Sequence, residues 1–259
     1  MSIEITTELV KELRNATGIS VMQCRKALEE AEGDMEKAIA ILKKTSANIA
    51  LKKADREATD GAVIVKQEGN KSILLALHCE TDFVSKNEDF VNLLNTLASK
   101  ALSDGIENMK NSAKELIDQV IQKTGEKVEL GEVYEINGEV VSNYVHNNKN
   151  AVVVSLTGGN TELAHDIAMH AAAMRPEFIS TDEVNEDVKK TMMEVFAKEV
   201  ENIDKPEDIK KKMLDGKINT YFKERTLLEQ EFIKDPSITI SALLSKNGAQ
   251  IKEVKRYSI

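Results

Sequence analysis

Near residue 60 the hydrophobic spacing of this chain changes from the helical period to a period of two, and that change rules out an all-helical fold. Val63 and Val65, then Ile73, Leu75 and Leu77, recur at alternate positions on either side of Gly69-Asn70. Successive side chains of a strand point to opposite faces, so alternation about a tight-turn dipeptide predicts a β-hairpin. The helical period then returns. Phe90, Val91, Leu94, Leu97, Ala98 and Ala101 form one stripe; Ala113, Leu116, Ile117 and Val120 form another, ended by Gly125. A second alternating run opens at Gly138-Glu139-Val140-Val141, turns at Asn147-Asn148-Lys149 and returns through Val152, Val154 and Leu156. A helix with Leu163, Ile167, Ala171 and Met174 follows and stops before Pro176. Hairpin, loop and helix therefore occur twice, which predicts two related subdomains.

The flanks read as helix. Residues 5–44 divide into three short helices. Thr6 is placed to cap the first, which carries Leu9, Val10 and Leu13 on one stripe. Ser20 and Gln23 suggest a capping box for the second, with Cys24, Leu28 and Ala31 on one face. Gly33-Asp34 separates it from a third, with Met35, Ala38, Ile39 and Leu42. Residues 46–59 lose the periodicity and read as a polar linker, helical at most in part. Beyond residue 180, Ser180 and Glu183 suggest a cap for a helix bearing Val184, Val188, Met192 and Val195. Asp204-Lys205-Pro206 reads as a turn, and a second helix carries Ile209, Met213 and Tyr221. So short a connection makes the pair an antiparallel hairpin, at about 182–226. The tail adds a short helix near Ile240–Leu244 and a strand-like end at Ile251–Tyr257. The expected fold class is α+β: a three-helix domain at 1–45, a linker at 46–59, and a core of two subdomains with antiparallel sheets at 60–136 and 137–259, the second carrying the helical hairpin.

The net charge of −9, from 44 acidic and 35 basic residues, argues against wholesale phosphate binding, which needs clustered Lys and Arg. Protein partners are expected, and no direct nucleic acid contact. Cys24 and Cys79 are the only cysteines. Two thiols without a C-x-x-C pair do not make a tetrahedral zinc site, so they are expected reduced and half-buried in a cytoplasmic protein. Met1-Ser2-Ile3-Glu4 lacks the basic and apolar regions of a secretory leader. No segment approaches the ~20 apolar residues of a membrane span. The motifs G-x-x-x-x-G-K-S/T, G-x-S-x-G, H-E-x-x-H and G-x-G-x-x-G are absent. Of His78, His146, His165 and His170, the last two are five apart and do not stack on one helix face. No metal, no cofactor and no bond-making catalysis are expected.

Three stretches carry a family resemblance. Leu13-Arg14-Asn15-Ala16-Thr17-Gly18-Ile19-Ser20-Val21-Met22-Gln23-Cys24-Arg25-Lys26-Ala27-Leu28 is the first, and Cys79-Glu80-Thr81-Asp82-Phe83-Val84-Ser85-Lys86-Asn87 the second. Ile167-Ala168-Met169-His170 followed by Arg175-Pro176-Glu177-Phe178-Ile179 is the third. In this order they resemble the signatures of translation elongation factor Ts, and the likeness runs from about residue 3 to 257. Ala76 and His78 depart from the family's usual Glu and Asn, and Glu231 from a common Pro. The resemblance implies a ubiquitin-associated-like N-terminal domain ahead of the two-subdomain core. It implies a guanine nucleotide exchange factor whose partner is elongation factor Tu, in GDP-bound and nucleotide-free forms, and leaves open dimerisation through the helical hairpin.

By the same resemblance Thr81, Asp82, Phe83 and Val84 form a wedge that enters beside the partner's Mg²⁺ and phosphate site. From the residues alone, Phe83 is either a surplus aromatic at a strand-to-helix corner or the first core residue of the next helix, whose stripe Phe90 already anchors. Asp82 has two readings, a charge near the metal and a helix cap, and Thr81 is a second candidate cap. Arg14 and Met22 correspond to a charged and an apolar contact with the partner's G domain; their local readings are a solvated end-of-helix charge and core filler. Thr124, Gly125 and His146 match contact positions on the phosphate-binding side, His146 reading equally as a surface strand residue. Ile233 matches a contact to another partner domain. A polypeptide-binding module would suit residues 5–44 alone, and a hydrolase built on scattered carboxylates and His146 would turn over without a GTPase. Neither accounts for the context of Asp82-Phe83.

Overall fold

The computed structural model describes residues 5–201, 203 and 205–259; Met1-Ser2-Ile3-Glu4, and Asp204 of the expected turn, lie outside the described residues. Three helices open the chain: α1 (Thr7–Thr17), α2 (Val21–Glu30) and α3 (Met35–Lys53). Each starts where a side-chain oxygen meets an orphan N–H of the first turn. Thr6 accepts from Leu9 at 3.2 Å, Ser20 from Gln23 at 3.4 Å and Asp34 from Lys37 at 3.0 Å. Gly18 ends α1 at φ 70, a left-handed conformation that costs glycine nothing. Leu13, Cys24, Leu28 and Ala38 are fully enclosed between the three helices.

The third helix does not stop where its stripe fades. It continues through Lys53, so residues 46–53 of the expected linker are helical. Ile49 and Ala50 pack against the neighbouring core, and the Ser46 hydroxyl meets the Gln122 side chain.

Strands β1 (Asp60–Glu68) and β2 (Lys71–Cys79) form the expected antiparallel hairpin about Gly69-Asn70. The register sets Ile64 opposite Leu75 and Val63 opposite Ala76. Opposed residues share a face, so Val63 and Val65 point away from the face of Ile73, Leu75 and Leu77. The two alternating stripes thus lie on opposite sides of the sheet. Residues 72–77 are all buried, which makes alternation a poor guide in β2. A short turn, α4 (Asp82–Ser85), leads to α5 (Glu88–Asp104) and α6 (Ile106–Thr124). Strand β3 (Val128–Asn137), not anticipated from the sequence, completes the order β1-β2-β3. Phe90, Leu94, Leu97, Met109 and Ile121 close the core over Ile73, Leu75 and Leu77.

The chain divides into two units. One runs to Glu135 and takes in Val145–Ala151 and Tyr257–Ile259; the other holds Ile136–Tyr144 and Val152–Arg256. The second unit uses β4 (Val140–His146), β5 (Asn150–Thr157), α7 (Thr161–Met174), α8 (Glu186–Glu201), α9 (Glu207–Arg225), β6 (Glu231–Phe232), β7 (Asp235–Thr239), α10 (Ile240–Lys246) and β8 (Gln250–Ser258). Its sheet order is β4-β5-β8, with β6 and β7 a separate antiparallel pair that the sequence did not signal. Val152, Val154 and Leu156 pack against Leu163, Ile167 and Ala171. Ser180 does not cap α8. Thr181–Glu183 form a 3-10 turn, the Glu183 carboxylate accepts the Ile179 N–H at 2.7 Å, and Val184 is buried ahead of the helix. Helices α8 and α9 run antiparallel, with Glu199 bridged to Lys217 at 2.9 Å and Phe196 against Tyr221. The hairpin leaves and rejoins its unit at a neck where Phe178 bridges Thr226, and Glu177 and Phe178 both donate to the Arg225 carbonyl. The described residues therefore form an α+β chain with antiparallel sheets, the isolated Phe178–Thr226 bridge being parallel.

Candidate partner-binding site

The most exposed large apolar side chain of the described residues sits on the corner between β2 and α5 in the first unit. Strand β2 ends at Cys79, the chain turns through Glu80-Thr81, and Asn87 restarts the helix by accepting the Asp89 N–H at 2.8 Å. Between them α4 has one turn. Val84 and Ser85 face inward, while Phe83 is 84% exposed. Leaving such a ring in water forgoes roughly 1.5–3 kcal/mol of burial. Phe83 is thus no core residue of the following helix; Phe90 holds that place at 0% exposure. Val84, expected as part of the wedge, packs into the core in the free chain and anchors the corner from beneath.

Neither candidate cap acts as one. Asp82 binds the Lys86 ammonium at 2.7 Å across one exposed turn, and that hydrogen bond raises the Lys86 pKa. Thr81 occupies the N-cap position without a side-chain cap bond. Its hydroxyl instead donates to Glu126 Oε1 at 2.8 Å and its N–H to Glu126 Oε2 at 3.0 Å. Glu80 makes the converse bond, accepting the Lys127 N–H at 2.6 Å and Arg56 at 3.2 Å. The Lys127 N–H holds the Glu80 carboxyl below the usual range against the opposing effect of burial, and Arg56 adds to it.

The neighbouring segments converge on the same end of the β1–β2 hairpin. Asp60 lies opposite Cys79, and Lys149 reaches it at 2.7 Å and the Gly61 carbonyl at 2.6 Å. That contact carries the β4–β5 tip, where Asn147 and Asn148 take φ 51 and 54 and His146 is exposed. Thr124 and Gly125 close α6 immediately before Glu126, and Lys53 meets the Gly125 carbonyl. Lys123 pairs with Asp89 at 2.7 Å and lies against Gly18, where an added Cβ would stand 2.7 Å from its Nζ. Gly18 follows Arg14, whose side chain is exposed; Met22, in the first turn of α2, is 81% exposed and is not core filler. Burial, with Asp60 and Glu126 adding to it, pushes the Cys79 thiol up to about 12, and both cysteines are wholly rather than half buried. The thiol is therefore inert. Sequence reasoning missed Glu80, Glu126 and Lys149, because each gains its role from a partner distant in the chain.

The family model described as "Elongation factor TS" matches residues 80–259. The chain is 41% identical to elongation factor Ts of Hahella chejuensis over 98% of its own length and 92% of that protein's. It is 40% identical to that of Pseudomonas fluorescens, covering 99% and 91%, and 38% identical to that of Teredinibacter turnerae, covering 98% and 90%. The chain belongs to the elongation factor Ts family. The likeness to these relatives covers nearly the whole chain, whereas the family model begins at Glu80. Membership places the chain in protein biosynthesis, among guanine nucleotide exchange factors of translation elongation. Among the described residues, no three His, Cys, Asp or Glu side chains cluster to hold a metal, and no helix is long and apolar enough to cross a membrane.

Ile233 lies in the second unit, 44% exposed, and its N–H donates to His170 Nδ1 at 3.2 Å. His170 belongs to the third elongation factor Ts stretch and is fully buried. With Nδ1 an acceptor, Nε2 carries the proton and donates to Gln230 Oε1 at 3.0 Å. Burial lowers the His170 pKa, the Gln230 bond opposing it. The unfolded chain then takes up this proton more readily than the native one. The stabilisation is full above the ordinary histidine value and is lost as pH falls through the lowered native value. The melting temperature is expected to fall between pH 7 and pH 5, and the slope to flatten in His170→Phe; equal slopes would exclude His170 as its source.

Proposed function

We propose that this chain is a guanine nucleotide exchange factor that binds elongation factor Tu in its GDP-bound form and expels GDP by inserting Phe83, carried with Asp82, beside the Mg²⁺ and phosphate site, so that GTP reloads. The observation that carries this reading is the exposure of Phe83 on a corner held at Thr81 by Glu126 and at Val84 by burial. A GTPase holds GDP through backbone amides and Mg²⁺. The factor need not touch the nucleotide; it binds the empty state better than the GDP state, and linkage weakens GDP by the same amount. Accelerating release by roughly three to five decades requires ~4–7 kcal/mol, which one buried ring and a broad interface supply together. Asp82 acts by its charge. Its exposed bridge to Lys86 is weak, so trading it for a partner group costs little.

In this reading the N-terminal helices are a ubiquitin-associated-like domain that docks on the G domain through Arg14 and Met22. Thr124, Gly125 and His146 extend the contact on the phosphate side, and Ile233 meets another domain of the partner. The recurrence of strand, strand and helix at β1-β2-α5 and β4-β5-α7 supports two related subdomains. The α8–α9 hairpin, with Val188, Met193 and Val195 exposed, is the place where a dimer would form. Release of fluorescent GDP from elongation factor Tu, with and without the chain, tests the function. Acceleration is expected at catalytic amounts of factor, and GDP leaving at its unassisted rate would refute it.

A further inference from the structure

We infer that Glu126 is the positioning residue of the exchange corner: by gripping Thr81 at both its N–H and its hydroxyl, it sets the direction in which Phe83 projects. The inference rests on the reading of Phe83 as the wedge. A single helical turn does not hold itself, since fixing its first hydrogen-bonded ring costs more than that bond returns. Segment α4 has four residues and no side-chain cap. Val84 fixes its inner side by burial, and the Thr81 carbonyl receives the Cys79 thiol and the Ser85 N–H at 3.2 Å each, which leaves the Thr81 N–H and hydroxyl still to be held. The Glu126 carboxylate supplies the restraint with two charge-assisted bonds, 3.0 Å to the Thr81 N–H and 2.8 Å to its Oγ1. It also places negative charge at the start of the turn, where free N–H groups gather.

Glu126 is itself held. The next residue donates its N–H to Glu80 at 2.6 Å, so the chain leaving β2 and the chain entering β3 exchange carboxylate–backbone bonds: Glu126 to Thr81, Glu80 to Lys127. Arg56 steadies Glu80, and the Lys127 ammonium returns to the Arg56 carbonyl at 2.9 Å. The latch ties the Phe83 corner to the Thr124-Gly125 turn one residue away. A partner pressing on Gly125 therefore pushes on the residue that aims Phe83. Such support fixes a functional side chain to within about half an ångström, which is what insertion into a preformed site demands.

The test is the rate of fluorescent-GDP release from elongation factor Tu as a function of factor concentration, using the full chain. Glu126→Ala is expected to lower the plateau rate about tenfold, with the half-saturating concentration changed less than about twofold. Glu126→Gln, which keeps an acceptor for the Thr81 N–H and a donor for its hydroxyl oxygen, should stay within about twofold of the wild-type plateau. The Glu126→Ala/Phe83→Ala double variant should lose no more than Phe83→Ala alone, because both act through one ring. Multiplying losses, or a full plateau in Glu126→Ala, would overturn the role. Thr81→Val removes only the hydroxyl half of the grip and should give a smaller loss in the same sense. It keeps the test open should Glu126→Ala not fold, and an unchanged plateau there counts equally against the role. A slow Phe83→Ala with a fast Glu126→Ala defeats only the positioning role; a fast Phe83→Ala defeats the wedge itself.

Discussion

Phe83→Ala is expected to slow factor-stimulated GDP release about ten- to a hundredfold while leaving the melting temperature of the free chain within a degree or two. The kinetic effect follows from transfer. A ring that is 84% exposed in the free chain and buried in the partner gains roughly 1.5–3 kcal/mol, and each 1.4 kcal/mol is a decade in rate. The unchanged stability follows from the same exposure, since the ring encloses nothing in its own chain. The pairing of the two results is diagnostic. A variant that melts early and exchanges slowly would mean that the corner had collapsed, and an unchanged rate would mean that the ring has no partner pocket.

Phe90→Ala deletes the same group seven residues later and should give the opposite pattern. Phe90 is wholly enclosed among Leu75, Leu94 and Leu97 in the core of the first unit. Its loss removes the transfer energy of the ring and leaves a cavity that close-packed neighbours fill only in part. About 3–5 kcal/mol of stability should be lost, readable as a fall in the denaturant midpoint at constant slope. That is a large share of the total for a domain of ordinary stability. The surviving folded fraction, measured in the cold, should still accelerate GDP release, because Phe83 and the Glu126 grip remain. A loss below about 1 kcal/mol would contradict the enclosed position.

Much of the fold was legible because local chemistry marks it. Thr6, Ser20 and Asp34 announce helix starts, and Gly18 and Gly125 announce ends, through bonds that span three or four residues. Legibility failed where burial depends on distant chain. Residues 72–77 are enclosed on both faces, so alternation in β2 does not tell which side of the sheet faces the helices. Strand β3 carries Glu129, Glu132 and Glu135 and looks too polar for a strand, yet it pairs with β2. The last turns of α3 look like linker because the surface that covers Ile49 and Ala50 belongs to residues far along the chain. At the site, the residues alone left Phe83 open between a surplus aromatic and a core position, and only the family resemblance singled it out, whereas its neighbour Val84 is core. Glu126 was invisible because the residue it grips is 45 positions away.

The neck of the α8–α9 hairpin has a consequence for how this chain can vary. Its incoming and outgoing strands touch at Phe178 and Thr226, so everything between them hangs from one closed doorway. Lengthening, shortening or excising the excursion leaves the two doorposts where they are, and the closure entropy of a loop grows only with the logarithm of its length. The hairpin is therefore a graftable appendage. Because Phe178 and Thr226 pair in parallel, the segment that joins them has to cross back rather than make a tight turn; a crossover of that kind should leave a foldable core, and a foreign helical pair could be spliced into the same opening without rethreading the sheet.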